Sequence, residues 1–230
     1  MPSAPLCLNQ ERMSLKAPGS NLRFRSQGVT AAEVRAMAVG ELRLLWSEVA
    51  WPFAPERLQK NALEFHEVVS HIFRQAAVVP FRLLSVFEDE RALATFADER
   101  AEAFLADLER LKEYVQMECV VYPAPARVQT DDTSGAAYLR GKAATLQAQE
   151  QHVAAVKEAL GGLARETRVR EGKNGVRIFV LVDRGTEKEF RSTIEQVAIP
   201  EVLSRRVSGA WPAAEFLSER LRTPQSATTK

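Results

Sequence analysis

Apolar residues at Leu58, Ala62, Phe65, Val69, Ile72 and Ala76 step along the chain by four and three. That spacing predicts a helix starting near Glu56 with one core-facing stripe. Upstream, Leu22–Arg25 alternates and Glu41–Trp46 alternates more strongly, so both read as strands, with a short helix over Thr30–Met37 between them. Pro80 ends the first long helix. The nearly continuous apolar run Val78–Phe87 fits a central strand buried on both faces. Glu88, Asp89 and Glu90 then open a second helix, where carboxylates suit the positive end of the dipole. Its stripe is Ala97, Ala101, Phe104, Leu108 and Leu111. Val115–Tyr122 follows as a strand carrying Met117, Cys119 and Val121 on one face. The order strand, strand, helix, strand, helix, strand predicts a ferredoxin-like sheet with helices on one side.

Pro123–Ala126 and the polar residues up to Thr133 read as a linker. Ser134 is placed to cap a long helix running to about Leu160. Leu139, Ala143, Leu146, Val153, Val156, Leu160 and Leu163 make a coiled-coil-like seam, interrupted by the polar Gln149. Gly161 and Gly162 stop it. A hairpin comes next, with Thr167–Arg170, the turn Glu171–Gly175 and the strand Val176–Val182. Then follow a helix over Lys188–Val197 and an extended piece over Val202–Val207. The predicted class is α+β in two domains. A flexible arm spans 1–20, and a ferredoxin-like sheet-and-helix domain spans 21–124. A C-terminal domain with a long coiled-coil-like helix and a small antiparallel sheet spans 134–222, and a disordered tail spans 223–230.

Charge and cysteine content narrow the function. A formal net charge of +1 supplies no field that would draw the whole chain to nucleic acid or an anionic membrane. Cys7 and Cys119 are far apart and suggest no disulfide framework, as expected of a cytosolic chain. Met1–Ser20 lacks the apolar core of a signal peptide, and no run reaches the roughly 18–20 apolar residues of a spanning helix.

Candidate chemistry is sparse, and no catalytic, cofactor or metal site is expected. His66 and His71 are five apart on one helix and do not form the i, i+4 pair of zinc enzymes. Cys119, within an apolar strand, reads as a buried inert thiol. Gly141-Lys142 and Gly172-Lys173 lack the rest of a phosphate loop. The acidic clusters Glu88–Glu90 and Asp131-Asp132 stand at helix starts, where capping accounts for them. Arg165, Arg168, Arg170, Lys173 and Arg177 gather positive charge on the hairpin 165–177, which makes a nucleic-acid-binding module the alternative function. Glu166, Glu171, Asp183 and Glu187 balance that charge, and Phe179 alone could stack on a base, so a solvated hairpin is favoured. Trp211, between Gly209 and Pro212, is expected to wedge against the C-terminal core, with Val202–Val207 pairing to Val176–Val182; a partner-binding anchor is its other role.

Several segments stand out in order. They are Leu63 with His66, and Val79-Pro80-Phe81-Arg82 running on to Val86-Phe87. Next come Val115–Glu118 with Val120, and Ser134–Leu139 with Lys142. The last are Leu181–Arg184 with Phe190, and Ser208–Pro212 with Phe216. As an ordered set they resemble the GvpL/GvpF family of gas vesicle proteins, over roughly residues 40 to 217. The chain departs from the family pattern in three places. Leu83-Leu84 stands where the family tends to have Phe-Gly, and Ala213-Ala214-Glu215 where it commonly has another proline and a tyrosine. Its opening strand is only Leu22–Arg25 where an aromatic-rich one is usual. The resemblance implies a non-enzymatic, cytoplasmic, gas-vesicle-associated accessory protein. Its implied partners are the small hydrophobic shell protein and other accessory proteins. Trp211, Phe216 and Tyr138, all in matched segments, are the candidate partner-binding or structural anchors.

Overall fold

The computed structural model describes residues 3–10, 28–50, 54–83, 85–125, 135–172 and 175–222, with the backbone alone at 3–10, 136–138 and 222. The chain divides into two compact units. One is Met1–Glu113 together with Trp211–Lys230, and the other is Tyr114–Ala210. Both contain a four-stranded sheet with antiparallel pairing.

In the first unit, Ser3–Gln10 (β1), Arg35–Val39 (β2), Leu42–Ala50 (β3) and Val78–Val79 (β4) are ordered β2-β3-β1-β4. The segment Ser3–Gln10, expected to be part of a flexible arm, is therefore an inner strand. It pairs with β3 from Ser3 opposite Ala50 to Gln10 opposite Arg43. Its backbone groups are satisfied by partners some forty residues downstream, which no local period can reveal. The helix expected over Thr30–Met37 is replaced by a 3-10 turn at Val29–Ala31 and by β2. β2 and β3 form a hairpin, Arg35 opposite Trp46 and Val39 opposite Leu42, turned at Gly40 with φ +56°. The ladder outweighs the local helical preference.

Leu58–Phe73 (α1) buries Phe65, Val69 and Ile72 of its predicted stripe, together with Asn61, Val68 and Phe73, while Leu58 at its start is exposed. The run Val78–Phe87 is not a central strand. Among its described residues only β4 is a paired strand, at the sheet edge, with Val86 in an isolated bridge further on, and Pro80 has no N–H to continue the ladder. Phe81 and Phe87 instead join an aromatic cluster, with the Phe81 ring 6.0 Å from Phe96 and 5.8 Å from Phe104. These partners lie on Glu90–Asp98 (α2) and Ala101–Leu111 (α3), two helices where one was expected. Asp89 caps α2, accepting from the Ala92 N–H at 2.7 Å.

The second unit runs Tyr114–Pro123 (β5), Gly135–Ala159 (α4), Ala164–Gly172 (β6), Gly175–Asp183 (β7), Glu187–Gln196 (α5) and Leu203–Trp211 (β8), the last residue of β8 being counted with the first unit. Its sheet order is β6-β7-β5-β8. A βαββαβ chain wound in this order is the ferredoxin-like arrangement, so that topology belongs here and not to residues 21–124. The reason is the partner of β5: it pairs with β7, Val115 opposite Val182 and Val121 opposite Val176, rather than with any strand before it. β8 lies beside β5, not beside Val176–Val182 as expected. Val115, Met117, Cys119, Val121, Ile178, Val180 and Val182 are all fully buried. α4 packs against β5, β7 and α5. Gly175, with φ +135°, starts β7 so close to β5 that an added Cβ would lie 2.2 Å from the Val121 carbonyl oxygen. The strand expected at Leu22–Arg25, most of the linker, the Ser134 cap, Asn174 and the tail 223–230 lie outside the described residues.

Candidate interaction surfaces

Within the first unit, Trp211 is half-buried, and its ring and that of His66 on α1 meet in a T-shaped contact, centroids 4.7 Å apart at 74°. His66 Nε2 is 3.2 Å from the Ser70 hydroxyl, which fixes the ring from its other side. Leu63, one turn before His66, is 59% exposed. Trp211, expected to wedge against the C-terminal core, thus meets α1, and the chain re-enters the first unit at this residue. The structure brings together Trp211 and His66, two positions of the family pattern far apart in sequence.

Phe216 is fully buried. The segment after Trp211 is clasped by α3. Arg110 donates to the Phe216 carbonyl at 2.6 Å, and the buried Asp107 accepts from the Ser218 N–H at 2.7 Å and from Arg110 at 2.8 Å. This clasp escaped sequence reasoning; its one trace is a carboxylate on the apolar face between Phe104 and Leu108. Tyr138 lies on the backbone of α4, and its side chain is outside the described residues.

In the second unit the seam of α4 divides. Gln149, His152, Val156 and Leu160 are buried, while Leu139 and Leu146 are 65% and 52% exposed. Burial, and then the nearby Arg205 cation, hold the His152 pKa below its ordinary value, opposed by a hydrogen bond to the Ala198 backbone. Burial pushes the Cys119 thiol up to about 11, so it stays protonated and unreactive near neutral pH.

Three arginines of the hairpin are tied to carboxylates. Arg165 bonds Asp183 at 2.9 Å, Arg168 bonds Glu166 at 2.6 Å, and Arg177 bonds Glu118 at 2.5 Å. Ser208 also donates to Glu118, at 3.0 Å. Cations already paired release fewer counterions on meeting a phosphate backbone, which weakens the nucleic-acid alternative. Lys173 lies outside the described residues. Among the described residues no cluster of three His, Cys, Asp or Glu could hold a metal ion, and no helix is long and apolar enough to cross a membrane.

Two solved structures share this fold over nearly their whole length. The chain is similar to the gas vesicle protein GvpF from Anabaena, with a TM-score of 0.71 and 14% identity over 93% of this chain and 95% of that one. It is also similar to GvpF from Microcystis aeruginosa, with a TM-score of 0.70 and 11% identity over 94% of this chain and 99% of that one. No curated protein sequence is detectably similar to it. Residues 7–218 match the family described as gas vesicle synthesis protein GvpL/GvpF, and the chain belongs to that family.

Proposed function

We propose that the chain is a non-enzymatic accessory protein of gas vesicle assembly. In this role it works in the cytoplasm and binds the small hydrophobic shell protein and other accessory proteins. The observation that carries this reading is the family match, which spans residues 7–218 and leaves little of the chain for another purpose. The geometry is compatible: apolar side chains stand exposed on α1 and α4, and Arg165, Arg168 and Arg177 of the cationic hairpin are paired with carboxylates. Two separately folding domains are part of the same proposal, with the long helix α4 offering a coiled-coil-like seam. The test is co-purification of the full chain with shell protein across a range of salt concentrations. Contacts carried by apolar burial persist at moderate salt, whereas arginine–phosphate contacts weaken steeply. Salt-sensitive binding of RNA or DNA, with no retention of shell protein, would return the argument to the hairpin 165–177.

A further inference from the structure

The heptad of α4 is used by its own fold in one half only. Leu139, Leu146, Val153 and Leu160 recur every seven residues, and three residues after each stand Lys142, Gln149, Val156 and Leu163. In the second half, Gln149 and Val156 are buried and Val153 is half-buried, and the turn just after the helix adds the buried Leu160 and half-buried Leu163. In the first half, Leu139 and Leu146 are 65% and 52% exposed, and Ala143 and Lys142 between them are exposed as well. Two leucines of one heptad position, two turns apart, form the seam that a second helix fills by knobs-into-holes packing.

The charge on this half selects the occupant. From Gly135 to Gln149 the helix carries Arg140 and Lys142 and no carboxylate, the first acid being Glu150. Lys142 sits within the leucine seam. A second copy of this helix laid against the same residues would oppose Lys142 with Lys142, and like charges at one seam position disfavour self-pairing. A lipid surface is a poor fit, because an interfacial helix needs a broader apolar face than two leucines separated by a lysine and an alanine. We propose that the first half of α4 docks an amphipathic helix of another protein that places a carboxylate opposite Lys142, between two apolar residues one heptad apart. This rests on α4 alone and names a kind of partner that the assembly role leaves open.

The full chain is titrated against two labelled synthetic helices of about three heptads. They share the same leucines and differ only in carrying Glu or Lys at the position facing Lys142, and binding is followed by fluorescence anisotropy. The acidic helix is expected to bind at least tenfold more tightly than the basic one. Lys142→Glu should invert that preference, and Leu139→Ser with Leu146→Ser should abolish binding of both while circular dichroism stays unchanged. Equal binding of the two helices, or binding of neither, overturns the proposal. So does leucine-dependent binding to phosphatidylserine vesicles, or leucine-dependent self-association in sedimentation. Neither helix contains a gas vesicle sequence, so this test and the shell-protein test fail independently.

Discussion

Asp107→Asn probes the clasp that holds the segment after Trp211 on α3. Asp107 is 3% exposed, and its two oxygens serve two donors, Ser218 N–H at 2.7 Å and Arg110 at 2.8 Å. The asparagine keeps the shape but has one acceptor oxygen, so its amide N–H₂ is turned toward one of those donors. Arg110 is 45% exposed, so solvent screens its side of the pair and that loss is worth roughly 0–1 kcal/mol. The Ser218 bond is charge-assisted and its carboxylate is buried, and losing it costs roughly 1.5–3 kcal/mol. Together the two terms put the expected loss at roughly 1.5–4 kcal/mol, read as a lower urea midpoint with unchanged slope. Arg110→Met in the same series should cost less and couple to Asp107→Asn, since both partners share one network. Limited proteolysis should also cut more readily after Phe216 in the Asp107 variant. A change below about 0.5 kcal/mol in Asp107→Asn, the range of an ordinary surface substitution, would show that packing of Phe216 alone holds the segment and that the clasp contributes nothing.

Gly175→Ala should destabilise the second unit by roughly 2–4 kcal/mol, through backbone strain at φ +135° and the clash with Val121. Gly162→Ala, where an added Cβ meets nothing, is the matched control in thermal melts. His152 binds its proton less readily folded than unfolded, so its neutral form contributes full stability above about pH 6.5. That contribution falls as the pH drops through 6.5 toward the lower folded value, and His152→Gln should flatten this part of a pH series of urea midpoints. An NMR titration placing the His152 pKa at or above its ordinary value would refute the burial argument. Trp211→Ala removes a half-buried ring and its edge contact with His66, so the cost should be about 1–2 kcal/mol, less than the roughly 3–5 kcal/mol of a core aromatic. A melt unchanged from the parent, together with lost shell-protein binding, would make Trp211 a contact residue instead of a support.

Elements whose signal is local were readable from the residues alone. The stripe of α1, the alternation of β3, the Asp89 cap and the apolar run of β7 all depend on neighbours within a few positions. What escaped was decided by distant partners. β1 contains Pro5 and carries no sustained period, yet it is an inner strand because β3 and β4 supply its hydrogen bonds. The run at β5 fits a buried strand in either sheet equally well, and only its pairing with β7, about sixty residues on, assigns the ferredoxin-like order to the second unit. The contact of Trp211 with His66 has the same origin: the return of the chain to the first unit leaves no local mark. The seam of α4 shows the boundary most sharply. Its heptad period is written in the sequence, but which half is covered depends on where β5, β7 and α5 end. Burial begins at Gln149, a polar residue, and spares Leu139 and Leu146, which hydrophobicity alone would have placed in the core. Apolar residues that their own fold leaves uncovered, beside a polar residue that it buries, mark where local pattern and tertiary demand separate. At that separation the leucines of α4 are open to a partner.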